Sequence, residues 1–181
     1  DTVKKFLLQR TFNACPEVKS PLDPRIVFRT LDNDKFGNEI YSFVPETGWR
    51  IKVDIHWRNN PNSANPLLIL LRDPEESRFE SENYLENIDS RWNVAILDVR
   101  GVGETGWAPD LQWHVRRAAA WTGRTIASMQ VYDVLRCMEF CRTLKGVNPQ
   151  IIGIAARNEM GVVALYAAFL DGNCHSILLQ D

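Results

Sequence analysis

Several short apolar runs in this chain end in residues whose types bear on chemistry. The most telling is Ile151-Ile-Gly-Ile-Ala155, which runs into Ala156-Arg157-Asn158-Glu159-Met160-Gly161 with a helix-like segment, Asn158–Leu170, following at once. A strand that turns sharply into a helix lifts one side chain above the sheet, and here that side chain belongs to Asn158. Asparagine suits the place sterically, because it tolerates the left-handed backbone such a turn imposes. Chemically it offers little. A carboxamide has no proton that a base could usefully remove, and its oxygen is a feeble nucleophile.

Leu67–Leu71 leads into Arg72-Asp-Pro-Glu-Glu-Ser77, a loop without glycine and with three carboxylates. Negative charge there would destabilise a developing oxyanion. The plainer reading is a helix start, with Asp73 as cap, Pro74 in the first position, and Glu75 and Glu76 complementing the dipole. Val94–Asp98 leads into a loop with glycines at 101, 103 and 106, but Trp107-Ala-Pro109 follows rather than a helix, so no dinucleotide cofactor is expected. Trp107, Trp113, His114 and Trp121 form the candidate aromatic binding surface, with core packing as the plainer alternative. Asp133 and Arg136 read as a solvated or intrahelix pair.

No metal or other cofactor is expected. The three histidines, His56, His114 and His175, are scattered, and the cysteines show no second pair at ligand spacing. Cys137 and Cys141 lie four apart in a helical stretch, which sets their β-carbons roughly 5–6 Å apart, wider than the roughly 3.5–4.5 Å of a disulfide. They read as two buried thiols. Cys174 and His175 are sequence neighbours whose side chains diverge, so they cannot act as nucleophile and base.

The elements that position these residues follow from hydrophobic period. Leu67–Leu71, Val94–Asp98, Ile151–Ala155 and Ile177–Leu179 are continuous apolar runs, as in parallel strands buried on both faces. Helix-like segments at Glu75–Ile88, about 122–144 and Asn158–Leu170 separate them, which predicts an α/β chain folded as a three-layer α/β/α sandwich with a mostly parallel sheet. Ahead of them, Glu39–Val44 and Arg50–Trp57 alternate apolar and polar residues around Pro45–Trp49, predicting an antiparallel hairpin. Arg25–Thr30 is strand-like. Residues 1–25 read as a helix, Val3–Phe12, and a tether, and 26–181 as the domain. A net charge of −2 offers no basic field for nucleic acid, and no apolar run approaches the length of a membrane span.

From Glu39 onward the chain resembles the α/β-hydrolase superfamily, and is most similar to acetyl xylan esterases and prolyl-oligopeptidase-like carbohydrate esterases. Three segments carry the likeness: Asp98-Val-Arg-Gly-Val-Gly-Glu-Thr105, Gly123–Arg136, and Ala164-Leu-Tyr-Ala-Ala-Phe-Leu-Asp171. In such esterases the last segment follows a Gly-x-Ser-x-Gly-Gly elbow. Laid onto this chain, the first glycine falls on Ala156, the serine on Asn158, and the last two glycines on Met160 and Gly161. Only Gly161 matches. Ala156 and Met160, with Arg157 and Glu159 beside Asn158, imply a looser or refilled elbow.

The resemblance also implies an acid and a histidine after the nucleophile. The one histidine after it is His175, which belongs at the amino end of the sheet, and the acid at the end of a following strand is Asp181. The expectation is a catalytically inactive, C-terminally truncated domain that lacks the last strands. The alternatives are a carbohydrate or acyl esterase whose acid and histidine lie in a missing C-terminal part, or a carbohydrate-binding module using the Trp107–Trp121 region. The resemblance suggests a secreted or periplasmic setting. The hairpin is expected at one sheet edge and Ser176–Asp181 at the other. That last strand is expected to be covered by a second copy, by the rest of a parent protein, or by the Val3–Phe12 helix.

Overall fold

The computed structural model describes residues 2–32, 36–77 and 88–180. Within them run helix α1 (Thr2–Arg10), strands β1 (Arg25–Asp32), β2 (Phe36–Phe43), β3 (Ile51–Trp57), β4 (Asn65–Leu71) and β5 (Asn93–Asp98), helices α2 (Gln112–Trp121) and α3 (Ile126–Cys141), strand β6 (Val147–Arg157), helix α4 (Asn158–Asp171) and strand β7 (Ser176–Gln180). The strands form one mixed sheet in the order β1-β2-β3-β5-β4-β6-β7. Pairing is antiparallel from β1 through β3 to β5, and parallel from β5 through β4 and β6 to β7. The hairpin is therefore not the edge: β1 adds outside it.

Alternation decides which face of each strand is dry. In β3, Ile51, Val53, Ile55 and Trp57 are buried, while Lys52, Asp54 and His56 turn to the other side. Together with Leu67, Ile69, Leu71, Leu97, Ile152 and Ile154 they make the main core, closed from above by α3 and α4. The opposite face carries a smaller cluster of Leu68, Leu70, Val94, Ile96 and Ala155, against which Ile88 and Trp92 pack. The helix expected over Glu75–Ile88 falls mostly on residues 78–87, outside the described residues.

α3 starts on a capping box, Thr125 accepting from the Ser128 N–H while Ser128 accepts from the Thr125 N–H. α4 stops at Gly172, whose φ of 74° is the left-handed turn that closes a helix. The Cys137 and Cys141 sulfurs sit 3.9 Å apart, both buried and both free.

Two expectations are corrected here. The segment after α1 is no loose tether: Leu22 packs on the core, its carbonyl accepts from Val44 N–H at 2.7 Å, and the Ser20 carbonyl accepts from Arg136. Nor does α1 cover β7. Leu7 and Phe12 turn inward, the Phe12 ring meets Tyr166 of α4 at 5.8 Å, and every residue of β7 stays exposed.

Candidate functional site

The residues that could work together sit where β4, β5 and β6 end, the carboxyl edge of the parallel part of the sheet. β6 passes directly into α4, and the junction residue Asn158 has φ 46°, one of two non-glycine residues with positive φ among those described. Arg157 before it is extended, at φ −122° and ψ 161°. One residue thus absorbs the whole change from strand to helix, and its side chain stands exposed above the sheet. Beneath it Ala156 and Met160 are buried, so the space under the turn is filled by side chains. Gly161 has room to spare, since a β-carbon there would meet Leu179 only at an ordinary 3.8 Å.

Neighbouring loops are tied to this turn by charge. Arg157 forms an ion pair with Glu76 of the loop after β4, and Arg72 of that loop pairs with Asp98 at the end of β5, at 3.1 Å. The acidic loop is therefore at least partly neutralised, which sequence alone did not reveal. Its backbone amides are also committed. Arg72 N–H donates to Leu97 C=O, Asp73 N–H points to the Glu76 carboxylate, Pro74 has none, Glu75 N–H donates to Asp73 Oδ1 and Glu76 N–H to Asp73 C=O. None of these four is left to polarise a substrate carbonyl, a job that needs donors aimed at an oxyanion. Asp73 does hold the turn as a capping residue would.

Histidines stand elsewhere. His175 N–H donates to Ile152 C=O at 2.8 Å and its ring lies 6.1 Å from Trp92, just before β5, so it marks the amino edge of the sheet. His56 is on β3 opposite Val94, in the amino half of β5, and His114 is exposed on α2. Among the described residues, no hydrogen bond joins Asn158 to a histidine, and no group of three metal-ligating side chains occurs.

The aromatic residues separate into two settings. Trp107 packs its ring over Gly101, where a β-carbon would collide with it, and donates its indole N–H to Gln112. Trp113 and Trp121 are 62% and 84% exposed, which excludes core packing for both. Between them on the α2 surface lies Arg117, its guanidinium 5.5 Å from the Trp113 ring and 6.0 Å from the Trp121 ring. The i, i+4, i+8 spacing puts the three on one helix face.

Sequence reasoning missed the ionic cluster that holds the loop after β5. Asp133, fully buried, does not face Arg136 across solvent. It receives Arg100 through the guanidinium at 2.6 and 2.9 Å and through the backbone N–H at 3.0 Å. Arg100 also reaches Glu46 at 3.1 Å, and Glu46 pairs with Arg124 at 2.6 Å. Arg136 is buried too, donating to the Pro45 and Ser20 carbonyls. Burial pushes the Asp133 carboxyl above its usual value, against the pull of Arg100. Burial works the same way on Glu46, but Arg124 and Arg100 outweigh it and hold that carboxyl below the usual range.

Neither a family model nor a curated protein sequence matches this chain. Solved structures do. A protein assigned as an acetyl xylan esterase from Bacteroides fragilis superposes with a TM-score of 0.80 at 13% identity, over 99% of this chain and 53% of its own. Acetyl xylan esterase 1 from Thermoanaerobacterium sp. JW/SL YS485 gives 0.69 at 15% identity, over 98% and 56%. The chain has the α/β-hydrolase fold. A glucuronoyl esterase from Solibacter usitatus gives 0.59 at 12% identity, over 90% and 52%. The chain spans about half the length of these structures.

Proposed function

We propose that this chain is a non-hydrolytic α/β-hydrolase domain related to acetyl xylan esterases, in which Asn158 stands at the nucleophile position. The observation that carries the reading is the backbone of Asn158: an exposed residue at φ 46°, on a strand-to-helix turn with no intervening loop. A left-handed residue at such a junction lifts its side chain above the sheet, the geometry that presents a nucleophile. The chemistry that geometry would serve is missing: a carboxamide in place of a hydroxyl, amides of the β4 loop already committed, and His175 at the far edge of the sheet. The esterase alternative, with acid and histidine supplied from further sequence, still meets a carboxamide at this turn. The test is labelling of the native chain with a fluorophosphonate, which reacts with activated nucleophilic serines. The native chain is predicted to stay unlabelled, and stoichiometric labelling of it would overturn the reading.

A second reading is favoured by one feature, the Trp113–Arg117–Trp121 face of α2. Exposed indoles give flat apolar surfaces for sugar rings, and a guanidinium between them adds hydrogen-bond donors. In this reading α2 is a carbohydrate-binding surface. Titration of tryptophan fluorescence with xylo-oligosaccharides checks it: saturable change, lost in Trp121→Ala, supports it, and a flat titration removes it.

A further inference from the structure

α3 shields the core face of the first strands only part of the way. Phe140, near its end, stacks on Phe43 at 5.5 Å and meets Tyr41 at 5.2 Å, and the helix stops at Cys141. The same face of β2 and β3 runs on to Glu39, opposite Ile55, and to Trp57. Beyond α3 the chain comes down on this face through Gly146. A β-carbon there would lie 2.6 Å from the Trp57 ring and 2.5 Å from the Pro61 carbonyl, so the close approach requires glycine. Between the helix end, that loop and the strands lies a cleft of about 410 Å³, a size typical of small-molecule sites. None of its walls belongs to α4 or β7, and it lies at the amino edge of β4 and β6, across the sheet from Asn158.

The cleft is built around a buried charge. Glu39 is 3% exposed, and its carboxylate is saturated by its neighbours. The Trp57 indole N–H donates to Oε2 at 2.8 Å, the Tyr41 hydroxyl to the same oxygen at 2.9 Å, and Arg29 Nε to Oε1 at 2.5 Å. A buried carboxylate of this kind adds little stability over an apolar residue of the same size, so what it secures is position. Arg29 is clamped by it through Nε and Nη2, yet its side chain is 54% exposed and borders the cleft. A guanidinium carries five N–H donors in a planar fork, and its outer edge is left for an acceptor there. Lys145 stands in the wall on the loop side, exposed and with no carboxylate partner among the described residues. Glu39 is the one acid in the walls. Arg29 and Lys145 against Glu39 leave one positive charge, in a chain whose net charge is −2. The carbonyls that end α3 do not oppose it, because Met138, Phe140 and Cys141 accept from the N–H groups of Arg142, Thr143 and Leu144.

We propose that this cleft binds a small oxyanion, the carboxylate or phosphate group of a small molecule, between the Arg29 fork and the Lys145 ammonium. Arg29 meets two oxygens side by side, the arrangement a guanidinium offers to carboxylate and phosphate alike. Lys145 adds a point charge, the Thr143 hydroxyl a neutral partner, and Leu31 and Tyr41 an apolar wall for the body of the ligand. Glu39 is a positioning residue: it makes no contact with the anion and holds Arg29 in place. The site uses neither the Asn158 turn nor the α2 face, so it stands whether or not the chain hydrolyses esters.

Nuclear magnetic resonance on the isotopically labelled 181-residue chain tests this, with inorganic phosphate and acetate titrated separately against sodium chloride at equal ionic strength. Saturable shifts at millimolar anion are expected at the Trp57 indole N–H and at the amides of Thr143, Lys145 and Gly146, with the chloride series flat. A response to phosphate, to acetate or to both supports the site, and the tighter of the two tells which group the ligand carries. Lys145→Gln, at an exposed position, is expected to weaken binding by about tenfold, the worth of one charge-assisted hydrogen bond. Arg29→Lys keeps a cation on Glu39 but removes the fork, and a similar loss is expected. Far-UV circular dichroism identical to the native chain shows that both variants fold, and Trp121→Ala on α2 leaves the titration unchanged. No saturable shift with either anion, shifts that chloride reproduces, or binding indifferent to both variants would overturn the proposal.

Discussion

Removing the carboxylate of Asp133 perturbs the support beneath the site without touching the site. Asp133→Ala leaves Arg100, which is 1% exposed, with Glu46 at 3.1 Å as its one remaining carboxylate partner and deletes three good hydrogen bonds, one of them from the Arg100 backbone. Breaking a buried ion pair from one side costs about 3–5 kcal/mol, because the other charge stays buried. The surviving Glu46 contact places this case at the lower end, about 3 kcal/mol. For a domain of this size that corresponds to a fall in Tm of about 6–12 °C. Urea unfolding of native, Asp133→Ala, Arg100→Met and the double variant Asp133→Leu/Arg100→Met measures it. The double variant is expected to recover most of the loss, since replacing both charges by apolar groups removes the uncompensated one. A loss below about 1 kcal/mol for Asp133→Ala, with additive single variants, would refute the claim that this pair pins the loop after β5.

Further outcomes follow from the same contacts. Gly161→Ala is expected to stabilise the chain by about 0.5–1 kcal/mol, because α4 is regular there and the new methyl meets only Leu179; equilibrium unfolding checks it. Asn158→Val is expected to destabilise by about 2 kcal/mol or more, since a β-branched side chain fits positive φ poorly, whereas Asn158→Gly is close to neutral; the same unfolding curves compare them. Acid sensitivity has a defined sign. The folded pKa of Glu46 lies below its ordinary value of 4.5, so its contribution is complete above that pH and is lost as pH falls through the folded value. In Glu46→Gln the slope of stability against pH below 4.5 is expected to be shallower, as read from unfolding midpoints across pH 3–6.

The sheet was legible because its order rests on hydrophobic period. Leu67–Leu71 and Ile151–Ala155 are unbroken apolar runs because both of their faces are covered by apolar groups, and Ile51–Trp57 alternates because its second face carries Lys52, Asp54 and His56. The turn at Asn158 was legible for a similar reason, strand pattern meeting helix pattern with no loop between. What escaped was long-range and ionic. Asp133 and Arg136 stand three apart on a helix, and nothing local indicates that Arg100, thirty-three positions earlier, is the true partner of Asp133. Buried charges defeat pattern reading, which assigns charge to solvent. The Arg157–Glu76 pair was hidden in the same way, so the acidic loop read as more hostile to an oxyanion than its charge balance makes it; its committed amides are the firmer obstacle. β1 as the outer strand beyond the hairpin followed from topology rather than from composition.

The claim that Asn158 marks an elbow without a nucleophile is tested most directly by hydrolysis of a small activated acetyl ester by the native chain, followed against a buffer blank and against Asn158→Ala. The rates of the native chain and of Asn158→Ala are expected to be indistinguishable. Turnover by the native chain above background that disappears in Asn158→Ala would contradict it.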